Sequence, residues 1–301
     1  MALYTSLASL SQTAASNAAD GSVDAPSTID QQTNLLASFT AQLRDGNGFT
    51  TGVGYLGQCQ LTKVSTNLVL SRYNGVGLTI NGVAYAIPSA GVSLAPTSLS
   101  VGTTYNIYAY MNAGTMTLEA STTARATDST TGIQIKSGDA TRTLVGKAQV
   151  VTGPAWSDAI NSRLVISWFN RRPIQCQAGL GSNTTNTGTS GNELSTTLQN
   201  LFLTWGDAAS FTFDGYVSNS TALAVSRSGL ALDGTALEGT SIFQDPGAGS
   251  VIGPVSATSV FVPSEGSHYV TAWVSVSAGT GTWGGSGTAG IRCSVKGVIQ
   301  G

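Results

Sequence analysis

Histidine occurs once in these 301 residues, at position 268. An imidazole between a serine and an aspartate can run acyl transfer, the ring taking the hydroxyl proton while the carboxylate orients it. The Gly-x-Ser-x-Gly elbow that commonly exposes such a serine does not occur in the chain. His268 therefore reads as a satisfied or surface histidine. Cleavage of a polysaccharide needs two carboxyl groups flanking the scissile bond. Asp207, Asp214, Asp233, Glu238, Asp245 and Glu265 are available for that. Most adjoin glycine or proline, as in Asp214-Gly215, Asp233-Gly234 and Asp245-Pro246, where aspartate has ordinary turn roles.

The remaining chemical motifs are thin. Gly52 to Gly57 and Gly279 to Gly284 both match the dinucleotide glycine pattern. That fingerprint needs a strand before it, a helix after it and an acidic residue about 20 positions on, and both matches sit in turn-rich β sequence. No cofactor is expected. Cys59, Cys176 and Cys293 lie far apart with no Cys-x-x-Cys or Cys/His cluster, so no metal is expected either. Free thiols fit folding in a reducing cytoplasm. Two aromatics sit in loop-like settings: Trp283 within Gly-Thr-Trp-Gly-Gly, and Tyr216 just after Asp214-Gly215. Exposed aromatics anchor protein and sugar contacts, whereas buried ones plug the base of a β-sandwich or a trimer axis. Tyr216, His268 and Trp283 are the candidate surface-binding residues, and Trp205 and Trp273 read as structural. The expectation is a noncatalytic protein.

The elements that must position these groups are read from composition and period. Charged residues make up 9% of the chain, against about 25% in ordinary globular proteins. Hydrophobic residues reach 41%, enough for real cores, and there are 37 glycines. Helices usually carry Glu and Lys on their wet face, so this scarcity favours strands. Residues 1–46 sum to −3, 47–173 to +5 and 174–301 to −4. The positive stretch has no clustered Lys/Arg run beyond Arg171-Arg172, so no nucleic-acid partner is expected. No run of about 18 apolar residues occurs, so no membrane span is expected, and the start Met1-Ala2-Leu3-Tyr4-Thr5 does not read as a signal peptide.

Residues 1–46 hold the helical signal. Ser27-Thr28-Ile29-Asp30 reads as a capping-box variant, and Gly46 as the residue past the helix end. Ile29, Leu36 and Leu43 are spaced by seven, with Phe39 between them. That spacing allows a two-heptad coiled-coil seam, or equally an amphipathic helix lying on its own domain. Either way, Ile29, Leu36, Phe39 and Leu43 mark a candidate attachment segment.

Residues 47–173 read as strands. Leu78 to Ile87 flanks Asn81-Gly82, the pair that favours a type I′ hairpin. A second hairpin runs from Tyr105 to Tyr110 across Asn112-Ala113-Gly114 to Met116 and Glu119. From Gln177 to Asn192, thirteen of sixteen residues are Gly, Ser, Thr or Asn, which predicts a linker over 174–192. Residues 193–301 then form a second β region. There Val270, Ala272, Val274 and Val276 alternate with polar residues at period two, as in a sandwich or jelly roll.

Tyr73-Asn74-Gly75, Ile80-Asn81-Gly82-Val83, Thr104 to Tyr110, Leu118 to Thr122, Ile133 to Asp139 and Ser167 to Arg172 together resemble a module of phage tail-fibre and other virion appendage proteins. Pro26 to Gly46 is similar to fibre N-termini that attach to the particle. The resemblance covers about the first 172 residues and consists of turns and strands. It implies a homotrimeric virion protein made in the bacterial cytoplasm, with N-terminal attachment to tail, portal-proximal or capsid proteins and a distal β head for a host polysaccharide or protein. Tail fibre or spike, capsid decoration or head fibre, and polysaccharide-degrading spike all remain open at this point.

Overall fold

The structure is a computed structural model that describes residues 57–247, 249–285 and 292–301. The helix and seam expected at Ile29, Leu36, Phe39 and Leu43 lie outside the described residues. Those described are almost entirely strands and turns, with a single 3-10 turn at Thr196–Leu198.

The first unit is built on the 13-residue strand Asp139–Val151. Thr104–Asn112 lies on one side of it with Thr115–Ser121 beyond, and Gln134–Lys136 and Arg125–Thr127 lie on the other. A three-stranded sheet of Cys59–Val64, Asn67–Arg72 and Val92–Leu94 and the hairpin Gly77–Ile80/Val83–Ala86 close over it. Both expected hairpins form. Ile80 pairs Val83 with Asn81 and Gly82 at φ 52° and 72°, and Asn112 pairs Thr115 with Ala113 and Gly114 at φ 46° and 84°. Two successive positive φ angles make the type I′ turn, whose twist matches that of the strands. Leu61, Leu70, Leu78, Ile107, Val145 and Trp156 meet in the core of this unit. The long strand bulges between Leu144 and Gly146, where a Cβ on Gly146 would lie 2.6 Å from the Ile166 carbonyl oxygen. Only glycine lets these two strands approach so closely.

The second unit has two sheets facing one another over one core. One carries Asn200–Thr204, Gly266–Val276 and Val225–Leu232 as its centre. The other runs Pro173–Gly179, Ser294–Gln300, Ala209–Asn219, Gly281–Trp283 and Thr184–Asn186, with Gly253–Phe261 also paired to Ala209–Asn219. Phe202, Val270, Ala272 and Val274 from the first sheet meet Phe211, Phe213, Val217 and Val295 from the second. The inward row of residues 270–276 is borne out, since Val270, Ala272, Val274 and Val276 are all buried, but Thr271 and Ser275 on the other face are buried too, so the strand is covered on both faces rather than half-buried.

The expected linker is a correction. Pro173–Gly179 pairs with Ser294–Gln300 over seven rungs, Thr184–Asn186 pairs with Gly281–Trp283, and Asn192–Glu193 pairs with Gly266–Val276. Cys176, Ala178 and Leu180 point into the core. The Asn186 side chain donates to Asn192 Oδ1 at 2.7 Å. Gly191 serves close packing rather than mobility: a Cβ there would lie 2.1 Å from Trp273 Nε1. The boundary near 173 is also crossed, because Asp158–Ala159 and Ser162–Arg163 join the sheet of the second unit before Val165–Ser167 returns to the first.

Candidate functional site

Along Ala209–Asn219 the core takes Phe211, Phe213 and Val217, so Ser210, Thr212, Asp214 and Tyr216 face outward by the period of two. Pairing across the sheet sets their neighbours. Ser210 lies opposite Val298 and Val260, Thr212 opposite Lys296 and Thr258, Asp214 opposite Ser294 and Ser256, and Tyr216 opposite Pro254. The result is a broad solvent-facing β surface of hydroxyls, amides and small aliphatics. On it Lys296 and Asp214 pair at 3.0 Å, and Ser294 donates to the other oxygen of Asp214 at 2.8 Å. The Thr212 and Thr258 hydroxyls lie 2.9 Å apart. A groove of about 530 Å³ opens on this surface, walled by Pro173, Gln175, Ser210, Thr212, Lys296 and Val298. Tyr216 stands further along the same strand, its ring against the Gly284 backbone, where a Cβ would come within 1.8 Å of it.

The other two expected surface residues are placed differently. Trp283 is fully buried on Gly281–Trp283, and its indole N–H donates to Ser228 Oγ at 2.9 Å inside the core. A side chain with no exposed area does not anchor an outside partner, so Trp283 is a core residue. His268 lies at the end of the core with its ring 6.0 Å from that of Phe202. Its Nδ1 is 2.6 Å from Asp233 Oδ2, and Asp233 Oδ1 accepts the Tyr269 N–H at 2.9 Å. On the other side Nε2 lies 3.0 Å from the Ser264 carbonyl oxygen and 3.3 Å from Ser264 Oγ. Ser264, His268 and Asp233 thus stand in the order of a nucleophilic triad. The shorter Nε2 contact is to the carbonyl rather than the hydroxyl, and the ring spans from Asp233 to Ser264, tying that loop to the sheet.

The carboxylates have structural partners as well. Asp207 pairs with Arg171, Asp214 with Lys296, Asp233 with His268, and Glu265 with both Arg125 and Lys147. Asp245 accepts the backbone N–H groups of Gly247, Gly249 and Val251. Burial raises the Glu265 carboxyl, but hydrogen bonds from Arg125 and Lys147 outweigh it and hold the group below its usual range. Burial pushes the Cys59 and Cys176 thiols up to about 12, and Cys293 is raised too, so the three free cysteines are poor nucleophiles. Among the described residues no group of three or more His, Cys, Asp or Glu could hold a metal ion. No helix among them is long and apolar enough to cross a membrane.

The groove residues Gln175, Ser210, Thr212, Lys296 and Val298 were not singled out from the sequence. The alternation Ser210-Phe211-Thr212-Phe213-Asp214 carried the information, since two phenylalanines two apart mark the inner face and leave the others outside.

The fold and surface define an all-β protein of two packed units with a charge-poor outer sheet. No protein-family model matches the chain, and no curated protein matches it. Solved structures give faint likenesses. BuGH86 in complex with neoagarooctaose is 10% identical, with 80% of this chain and 33% of that one covered and a TM-score of 0.26. The insecticidal delta-endotoxin Cry8Ea1 from Bacillus thuringiensis is 8% identical, with 81% and 52% covered and a TM-score of 0.27. Infectious bursal disease virus, Gx strain, is 13% identical, with 83% and 72% covered and a TM-score of 0.24. The chain spans a third of the length of the first of these and about half of the second. Scores this low carry no argument about what the chain does.

Proposed function

We propose that this chain is a noncatalytic structural protein of a bacteriophage particle, a homotrimeric fibre or spike held through residues 1–46 that meets a host surface with its second β-unit. The observation that carries this reading is the outer face of the sheet around Ala209–Asn219, a broad solvent-facing surface of hydroxyls, amides and small aliphatics on which Lys296 and Asp214 pair. The commitment of Asp207, Asp214, Asp233, Asp245 and Glu265 to structural partners supports a role without chemistry. The turn and strand phrases between Tyr73 and Arg172 support the phage-appendage family, and the heptad of Ile29, Leu36 and Leu43 supports three-fold assembly. The test mixes the full chain, and a chain lacking residues 1–46, with particles that lack the protein, and sediments them. The full chain co-pellets and the shortened one stays in the supernatant. Equal pelleting of both places attachment in the β-units and overturns the N-terminal anchor.

A second reading is a capsid decoration or head-fibre protein. It is favoured by the ordered 174–192 segment, which joins the two β-units instead of letting the second swing free as a distal head. Finding new reducing ends after incubation with host polysaccharide overturns both in favour of a degrading spike.

A further inference from the structure

The groove and Tyr216 share one line on the sheet. Ser210, Thr212, Asp214 and Tyr216 face the same way on one strand, and six residues at about 3.3 Å each put Tyr216 roughly 20 Å from Ser210. At the Ser210 end the groove of about 530 Å³ offers a mixed lining. The Gln175 amide and the Ser210 hydroxyl have no partner among the described residues, so both are available to an incoming group. Lys296 Nζ gives one hydrogen to Asp214 and keeps two. Val298, 44% exposed, and Pro173 supply aliphatic surface between these polar atoms, and Val260 continues it at 72% exposed.

The chemistry of this line selects among ligand classes. A nucleic acid needs several unpaired cations to neutralise phosphates, and the one cation lining the groove, Lys296, is already paired with a carboxylate. A membrane surface calls for lysines or arginines beside large apolar side chains, and the apolar atoms here belong to valine and proline. A protein partner needs a packed aromatic or arginine anchor at the centre of its footprint, whereas the centre here is Thr212 and Thr258. A neutral chain of sugars presents hydroxyls for an amide, a hydroxyl and an ammonium, C–H faces for valine and proline, and a ring face for an aromatic at the far end. We propose that this outer face binds a linear neutral polysaccharide, with Gln175, Ser210 and Lys296 fixing one sugar in the groove and Tyr216 supporting another further along the chain. The inference rests on the surface-recognition role proposed above and names its ligand class.

The test passes the full chain over an array of neutral and acidic oligosaccharides, beside Ser210→Trp, Gln175→Ala and, at a hairpin tip of the first unit, Thr115→Trp. Ser210 is exposed, so its indole fills the groove without touching the core. The full chain and Thr115→Trp are retained on neutral glycans, Ser210→Trp loses at least tenfold of that signal, and Gln175→Ala loses severalfold. Retention unaffected by Ser210→Trp, retention on acidic glycans alone, or no retention at all overturns the proposal. So does a change of oligomeric mass in Ser210→Trp, which makes the face a contact between copies. Adsorption to host cells separates the two readings. If the full chain and Ser210→Trp adsorb equally, this ligand assignment fails while surface recognition stands. If the full chain adsorbs to no host cell, surface recognition fails with it.

Discussion

Lys147 Nζ lies 2.7 Å from Glu265 Oε1, and the same carboxylate takes Arg125 Nη2 at 2.9 Å on its other oxygen. Lys147 and Arg125 belong to the first β-unit and Glu265 to a loop of the second, so one carboxylate fastens the two. The contact has company. Trp168 and Trp205 meet edge to face at 4.9 Å, the Trp205 indole N–H donates to the Ser167 carbonyl at 3.1 Å, and Ser267 Oγ donates to Gln149 at 3.1 Å. Leu164, Ile166 and Leu203 add a small apolar cluster beneath. The loop that carries Glu265 is in turn held by His268, through the Ser264 carbonyl.

Replacing Glu265 with glutamine leaves the buried Lys147 without its counter-charge. Breaking a buried pair typically costs about 3–5 kcal/mol, but Glu265 is partly exposed, so a loss of about 1–2 kcal/mol is expected in urea unfolding. The intact chain unfolds in one transition, because the seam couples both cores. Two separated transitions in the unmodified chain contradict this.

The same carboxylate sets an acid limit. Hydrogen bonds from Arg125 and Lys147 hold its folded-state pKa below the ordinary glutamate value, so its contribution to stability is present above that ordinary value and is lost as the pH falls through the lowered one. Melting curves recorded from pH 6 down to about 3 should therefore fall more steeply for the unmodified chain than for Glu265→Gln. Parallel curves show that the seam does not depend on this ionisation.

Trp283→Ala removes a fully buried ring and is expected to cost about 3–5 kcal/mol. Trp283→Phe keeps most of the volume but takes the indole hydrogen from Ser228, at about 1–3 kcal/mol. Chemical denaturation measures both. A stable Trp283→Ala with weakened surface binding restores the exposed-anchor reading.

A chain reduced to residues 193–301 loses the strand Pro173–Gly179 and with it seven rungs along Ser294–Gln300. It also uncovers the core that Cys176 and Leu180 close. It should lack cooperative melting by circular dichroism and well-dispersed amide resonances. A sharp, cooperative fragment makes 174–192 a linker after all.

The Asn81-Gly82 hairpin and the alternation from Val270 to Val276 are legible because they are local: turn chemistry and period two act within a few residues. The strands inside 174–192 are not, because Thr, Asn and Gly carry no hydrophobic period, and their partners lie about a hundred residues away. Glycine misleads twice. Gly284 and Gly281 flank Trp283 because the Tyr216 and Trp283 rings occupy the places where their Cβ atoms would sit, so a run that reads as flexible is close-packed. The groove is hidden for a plainer reason, since Gln175, Ser210 and Thr212 are ordinary outward residues until three strands bring them together.

The central claim is that the chain is part of a phage particle, and labelling intact particles tests it most directly. Gold-conjugated antibodies against residues 193–301 are applied to purified particles from the lysate in which the chain is made, and the grains are located by electron microscopy. The account predicts grains on the particles, gathered on the tail for a fibre or spike and spread over the shell for a decoration protein. Particles free of gold, with the chain left in the soluble fraction of the lysate, contradict it.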